Sequence, residues 1–99
     1  MIQAIATARC AGPGKVRKTK DGSRVFGFRC CSNDGDSAEW LDVTVWGRSI
    51  DFLETRIRKG SKVTVSGRLT RNEWTDQSGK ERVGLRLNAN WVELHDPKE

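Results

Sequence analysis

Histidine and cysteine are scarce in this 99-residue chain, which has one of the first and three of the second. No apolar run approaches the roughly 20 residues that a membrane-spanning helix needs. Cys10, Cys30 and Cys31 form no CxxC pair, and His95 stands alone near the end, so neither a metal site nor a cofactor is expected. The vicinal Cys30 and Cys31 point to opposite faces if they lie on a strand, as small core or near-surface thiols. An odd cysteine count without a secretory apolar segment leads us to expect a reducing cytoplasm, bacterial or that of a host cell carrying a phage or mobile element. Catalysis is not expected. The carboxylates are scattered over loops and helix ends, with no cluster for a metal and no His-centred acid and base.

What the chain has in quantity is positive charge in blocks. Lys and Arg total 18 against 13 Asp and Glu, a formal net charge of +5. From Arg9 to Cys30 there are seven bases and one acid, and from Arg48 to Asn72 seven bases and two acids. The stretch between, Cys31 to Gly47, holds four acids and no base. Such segregation favours a directed footprint for an anionic partner over general solubility.

Alternation of apolar residues predicts strands. Met1 to Ala11 reads as the first, broken by Gly12-Pro13-Gly14, and an extended basic stretch, Lys15 to Lys18, runs to a hairpin turn at Asp21-Gly22. Phe26, Phe28 and Cys30 then share one face, and Val25, Gly27 and Arg29 the other. A turn is expected over Asn33 to Ser37. In the strand from Trp40 to Trp46, Leu41, Val43 and Val45 must face the core, which leaves Trp40, Asp42, Thr44 and Trp46 outside. Ser49 is placed to cap a helix running to about Arg58, with Ile50, Leu53 and Ile57 as its apolar stripe and Gly60 as its stop. Two further strands follow, about Lys62 to Trp74 and Arg82 to Leu94, joined by the loop from Thr75 to Lys80. Val83, Leu85, Leu87, Ala89 and Trp91 share one face of the last strand, so Trp91 is expected in the core or at an interface. This order predicts an all-β, five-stranded Greek-key OB barrel with one α-helix between the third and fourth strands, a single domain over residues 1–96 followed by terminal residues 97–99.

Trp40 and Trp46 would emerge along one line and Trp74 at the end of the fourth strand. On an OB barrel these indoles line one concave surface, flanked by Arg17, Arg29, Arg48, Arg68 and Arg71. Planar indoles offer platforms on which any base stacks, and Arg and Lys follow phosphates without reading sequence, so the expected ligand is a single strand of nucleic acid. Stacking and phosphate contacts alone do not distinguish the sugar.

Glu39-Trp40, Val43-Thr44-Val45-Trp46-Gly47, Arg58-Lys59-Gly60-Ser61, Val63 to Leu69 and Trp74-Thr75-Asp76-Gln77-Ser78-Gly79 together resemble the bacterial single-stranded DNA-binding proteins over roughly Met1 to Leu94. The resemblance implies an OB fold in a homo-oligomer, a tetramer before a dimer, that wraps single-stranded DNA in replication, recombination and repair. It carries stacking roles onto Trp40, Trp46 and Trp74. Three departures stand out. A further stacking aromatic of some members falls near Ser32, Gly12-Pro13-Gly14 replaces the usual Asp-Pro of the first loop, and the sequence ends at His95-Asp96-Pro97-Lys98-Glu99 without the acidic, apolar-ended tip that recruits replication and repair proteins. A short form is therefore expected, whether a trimmed core, a phage or mobile-element version, or a short relative. The chain also resembles primosomal replication protein N, a dimeric OB adaptor of replication restart, whose pattern lacks the Trp74 to Gly79 loop.

Overall fold

The computed structural model describes residues 1–35 and 37–95, so the expected terminal residues 97–99 and one position of the expected turn at 33–37 lie outside the described residues. The elements are β1 (Ile2–Cys10), β2 (Lys15–Lys18), β3 (Arg24–Asp34), β4 (Ser37–Trp46), α1 (Ser49–Glu54), β5 (Lys62–Thr75) and β6 (Glu81–His95). Hydrogen-bonded neighbours run β1-β5-β6-β4-β3-β2, and β1 pairs again with β3, which closes five strands into a barrel and leaves β2 as an outer ribbon on β3. All pairs are antiparallel except β4 with β6. The expected OB architecture is thus the observed one, and closure removes the sheet edges that an open sheet of these strands would expose.

The core follows the period-two pattern. Phe26, Phe28 and Cys30 from β3, Leu41, Val43 and Val45 from β4, Val63 and Val65 from β5 and Leu87 from β6 meet inside the barrel. Ile50, Leu53 and Ile57 close one end, all buried as their helical spacing predicts. The helix is shorter than its stripe. The Ile57 amide still donates to the Leu53 carbonyl (2.9 Å), but the Arg58 amide turns to Ser61 Oγ (3.1 Å), a side-chain acceptor that competes with the helical ladder. The N-cap is Arg48, with no side-chain cap bond, rather than the expected Ser49. At 33–37 the strands also run further than expected, because Asp34 pairs with Ser37 and Gly35 supplies the positive φ of a tight hairpin. Among the described residues no helix is long and apolar enough to cross a membrane.

One irregularity repositions a tryptophan. Ser66 pairs with Trp91 but Gly67 with Ala89, so Asn90 is an extra residue on β6. A one-residue bulge flips every later side chain to the other face. Leu85, Leu87 and Ala89 point inward before it, Val92 and Leu94 after it, and Trp91, expected on the aliphatic face, stands on the outside at 46% exposure. The bulge brings the Asn88 carbonyl against Gly67 so closely that a Cβ at that position would overlap it, which only glycine tolerates in this strand.

Candidate nucleic-acid interface

Cross-strand partners share a face, so the register spells out what lies side by side on the outside of the barrel. One row runs Lys15, Gly27, Thr44, Asn88 and Arg68 across β2, β3, β4, β6 and β5. A second runs Arg17, Val25 and Trp46, and a third Arg29, Asp42, Arg86 and Thr70. Small residues, Gly27 and Thr44, form the floor. Lys15, Arg17, Lys18, Arg29, Arg86 and Trp46 rise around it to enclose an open groove of about 1000 Å³. Cationic walls around an indole provide what an extended polyanion with planar bases requires.

The indoles are presented at the surface. Trp40, Trp46 and Trp74 are 46%, 48% and 44% exposed. The Trp46 indole N–H donates to Asn88 Oδ1 at 2.9 Å, which fixes the plane of the ring at the groove wall. The Arg29 guanidinium lies 4.8 Å from the Trp40 ring centre, a cation–π contact that ties this platform to the groove. Asp42 stands 3.9 Å from Arg29, offsetting part of the cationic charge between them. Trp74 lies on the β5–β6 hairpin above Gly84, where a Cβ would come within 3.1 Å of the ring, so the missing side chain makes the seat for the indole.

The hairpin tip beside Trp74 is organised by Asp76. Its carboxylate accepts from Ser78 Oγ (2.6 Å), from the amides of Ser78 (2.9 Å) and Lys80 (3.0 Å), and from Arg82 Nε (2.9 Å). These donors, the Ser78 hydroxyl foremost, hold the Asp76 pKa down at about 2. A carboxyl whose folded pKa lies below its unfolded value of about 3.9 adds stability above that value and loses it as pH falls through the folded one. The tip is therefore expected to hold above about pH 4 and to loosen toward pH 2, read from hydrogen exchange at the Ser78 and Lys80 amides. Asp76→Asn should abolish that pH dependence, and an unchanged profile in the variant would assign the loosening to another group.

The expected arginines divide. Arg17 and Arg29 line the groove, while Arg68 shares the outer face one strand beyond it, beside Asn88. Arg48 lies in the exposed turn after Trp46. Arg71 differs from the expectation: three positions from Trp74, it pairs with Leu85 on the opposite face of the hairpin and lies 3.3 Å from Glu73. Lys15, Lys18, Arg86 and Asn88 also belong to the groove, beyond the arginines expected from the sequence. Arg86 and Asn88 alternate with the core residues Leu85 and Leu87, a signal that was available. The Ser32 hydroxyl donates to the Thr7 carbonyl (3.0 Å), where the resemblance places an aromatic in some members. Burial pushes the Cys10 and Cys30 thiols up to about 11 and about 12, which keeps them protonated. Among the described residues no three His, Cys, Asp or Glu side chains gather as a metal site would require.

The model of the single-strand binding protein family matches residues 3–95. A single-stranded DNA-binding protein of Helicobacter hepaticus is 33% identical over 95 residues, which are 96% of this chain and 49% of that protein. One from Wolinella succinogenes is 35% identical over 66 residues, 67% of this chain and 41% of that protein. The chain thus spans about half the length, or less, of these curated relatives. In fold it is similar to the crystal structure of a small single-stranded DNA-binding protein from Streptomyces coelicolor, with a TM-score of 0.83, 18% identity, and 95% of this chain and 94% of that one covered.

Proposed function

Because the chain belongs to the single-strand binding protein family, we propose that it binds single-stranded DNA without sequence preference and serves DNA replication, recombination and repair by coating exposed strands. It acts by binding, not by catalysis. The observation that carries this reading is the groove of Lys15, Arg17, Lys18, Arg29 and Arg86, with Trp46 in its wall and Trp40 joined to it through Arg29. Bases stack on Trp40, Trp46 and Trp74, and the arginines and lysines of the outer face hold the phosphates. No base edge need be read. The test is competition at fixed salt: oligo-dT should quench tryptophan fluorescence and displace a labelled strand, and a duplex of equal length should do so far less well. Equal competition by the duplex would leave only a generic basic surface.

A homo-oligomer, tetramer before dimer, is part of the same reading. What supports it is an apolar row on the outside of β1, β5 and β6, where Ile5 and Trp91 flank Ser66. Ile5 is 70% exposed, and apolar side chains so placed favour burial against another copy of the chain. Mass in solution tests it.

A further inference from the structure

Three of the basic residues outside the groove, Arg9, Arg58 and Lys62, meet at one place. Arg9 pairs with Lys62, and Lys62 with His95, so these three side chains stand in one row across the outside of β1, β5 and β6. The loop after α1 adds Arg58, and the row and loop together bound a concavity of about 610 Å³. Arg9 Nη1 donates to the Gly60 carbonyl at 3.3 Å, which holds its guanidinium at the rim. Among the described residues none of Arg9, Arg58 and Lys62 forms an ion pair. His95 faces the Thr64 hydroxyl at 2.7 Å and Glu93 at 3.9 Å.

Like charges placed directly opposite on adjacent strands cost stability, and nothing described here offsets the Arg9 and Lys62 pair. An anion seated between them would. The register also says which anion can reach. Arg9 pairs on its other side with Cys31, and Cys31 with Trp40. Trp40, Cys31, Arg9, Lys62 and His95 therefore form one unbroken hoop around the barrel, with the base platform at one end and the cationic row at the other. At about 4.8 Å per strand, Arg9 lies only about 10 Å from Trp40.

We infer that this row is a second phosphate track, which receives the backbone of the same DNA strand after it leaves the Trp40 platform. The inference rests on the proposed single-strand binding at the groove and adds a direction of travel to it. The track is separate from the apolar row of Ile5, Ser66 and Trp91, which lies four residues along β1, roughly 13 Å away. A strand on the track and a second copy on the apolar face are compatible.

The experiment compares Arg9→Gln/Lys62→Gln with wild type on two oligo-dT lengths, about six and about twenty nucleotides, with the salt dependence of each measured. The short strand, held in the groove, should bind both proteins alike. For the long strand the slope of log K against log salt should become shallower by about 1.4 in the double variant, since each phosphate contact on a single strand contributes about 0.7. Lys62→Gln alone, which leaves the Arg9 bond to the loop intact, should remove about 0.7 and guards against a folding defect in the double variant. Equal long-strand slopes would overturn the track. So would a change in solution mass, which would make the row a subunit contact, or loss of polyglutamate binding with DNA binding intact, which would make it a dock for an acidic protein segment. Failure of wild type to bind the short strand would sink the groove reading instead, and the track with it.

Discussion

Replacing Trp40 and Trp46 together by alanine is expected to weaken oligo-dT binding by about 2 to 6 kcal/mol, at about 1 to 3 for each stacked base. Both rings are half exposed on the outer face, so the barrel core keeps its packing when they go. The lost contacts are the Trp46 bond to Asn88 and the Arg29 cation–π contact, both at the surface. Anisotropy of a labelled strand measures the loss, and the melting temperature should shift little. An affinity within about twofold of wild type, under about 0.5 kcal/mol, would reassign both indoles.

Phe26→Ala should have the opposite signature. Phe26 is fully buried, paired in register with Val16 and Val45, 5.8 Å from the Phe28 ring and close against Gly14. Truncating such a phenylalanine costs about 3 to 5 kcal/mol, because the lost transfer energy is joined by that of an unfilled cavity. A domain of this size melts about 4 to 8 °C lower for each kcal/mol, so a thermal scan should show a drop of at least about 12 °C. Strand binding by the fraction that remains folded should persist. A drop of only a few degrees would mean that the barrel centre lies elsewhere.

Much of this arrangement was legible in the chain. The alternation in β3 and β4 sorts their core and outer residues, and the Asp21-Gly22 turn and the stripe of Ile50, Leu53 and Ile57 stand where spacing puts them. What was not legible depends on pairing between distant segments. Arg86 and Asn88 join the groove only because β6 lies parallel to β4, a contact that no local pattern announces. Strict alternation puts Trp91 on the aliphatic face, in the core or at an interface, but the bulge at Asn90 opposite Gly67 breaks that alternation. The pattern does carry a trace: the apolar phase shifts from Leu87 and Ala89 to Val92 and Leu94, and a glycine interrupts the partner strand. Arg71, expected to flank the indoles, lies three positions from Trp74, and three positions along a strand lead to opposite faces.

The central claim is that bases stack on the outer-face indoles of the groove side, and the chain's own tryptophans provide the means to test it. Trp40, Trp46 and Trp74 stand on that side, while Trp91 stands in the outer row with Ser66 and Ile5, apart from the residues that line the groove. Photo-crosslinking of an oligo-dT carrying 5-iodouracil, followed by peptide mapping, reads out which rings lie against bases. The expected result is crosslinks at Trp40, Trp46 and Trp74 and none at Trp91; crosslinks concentrated at Trp91, or absent from Trp40 and Trp46, would contradict it.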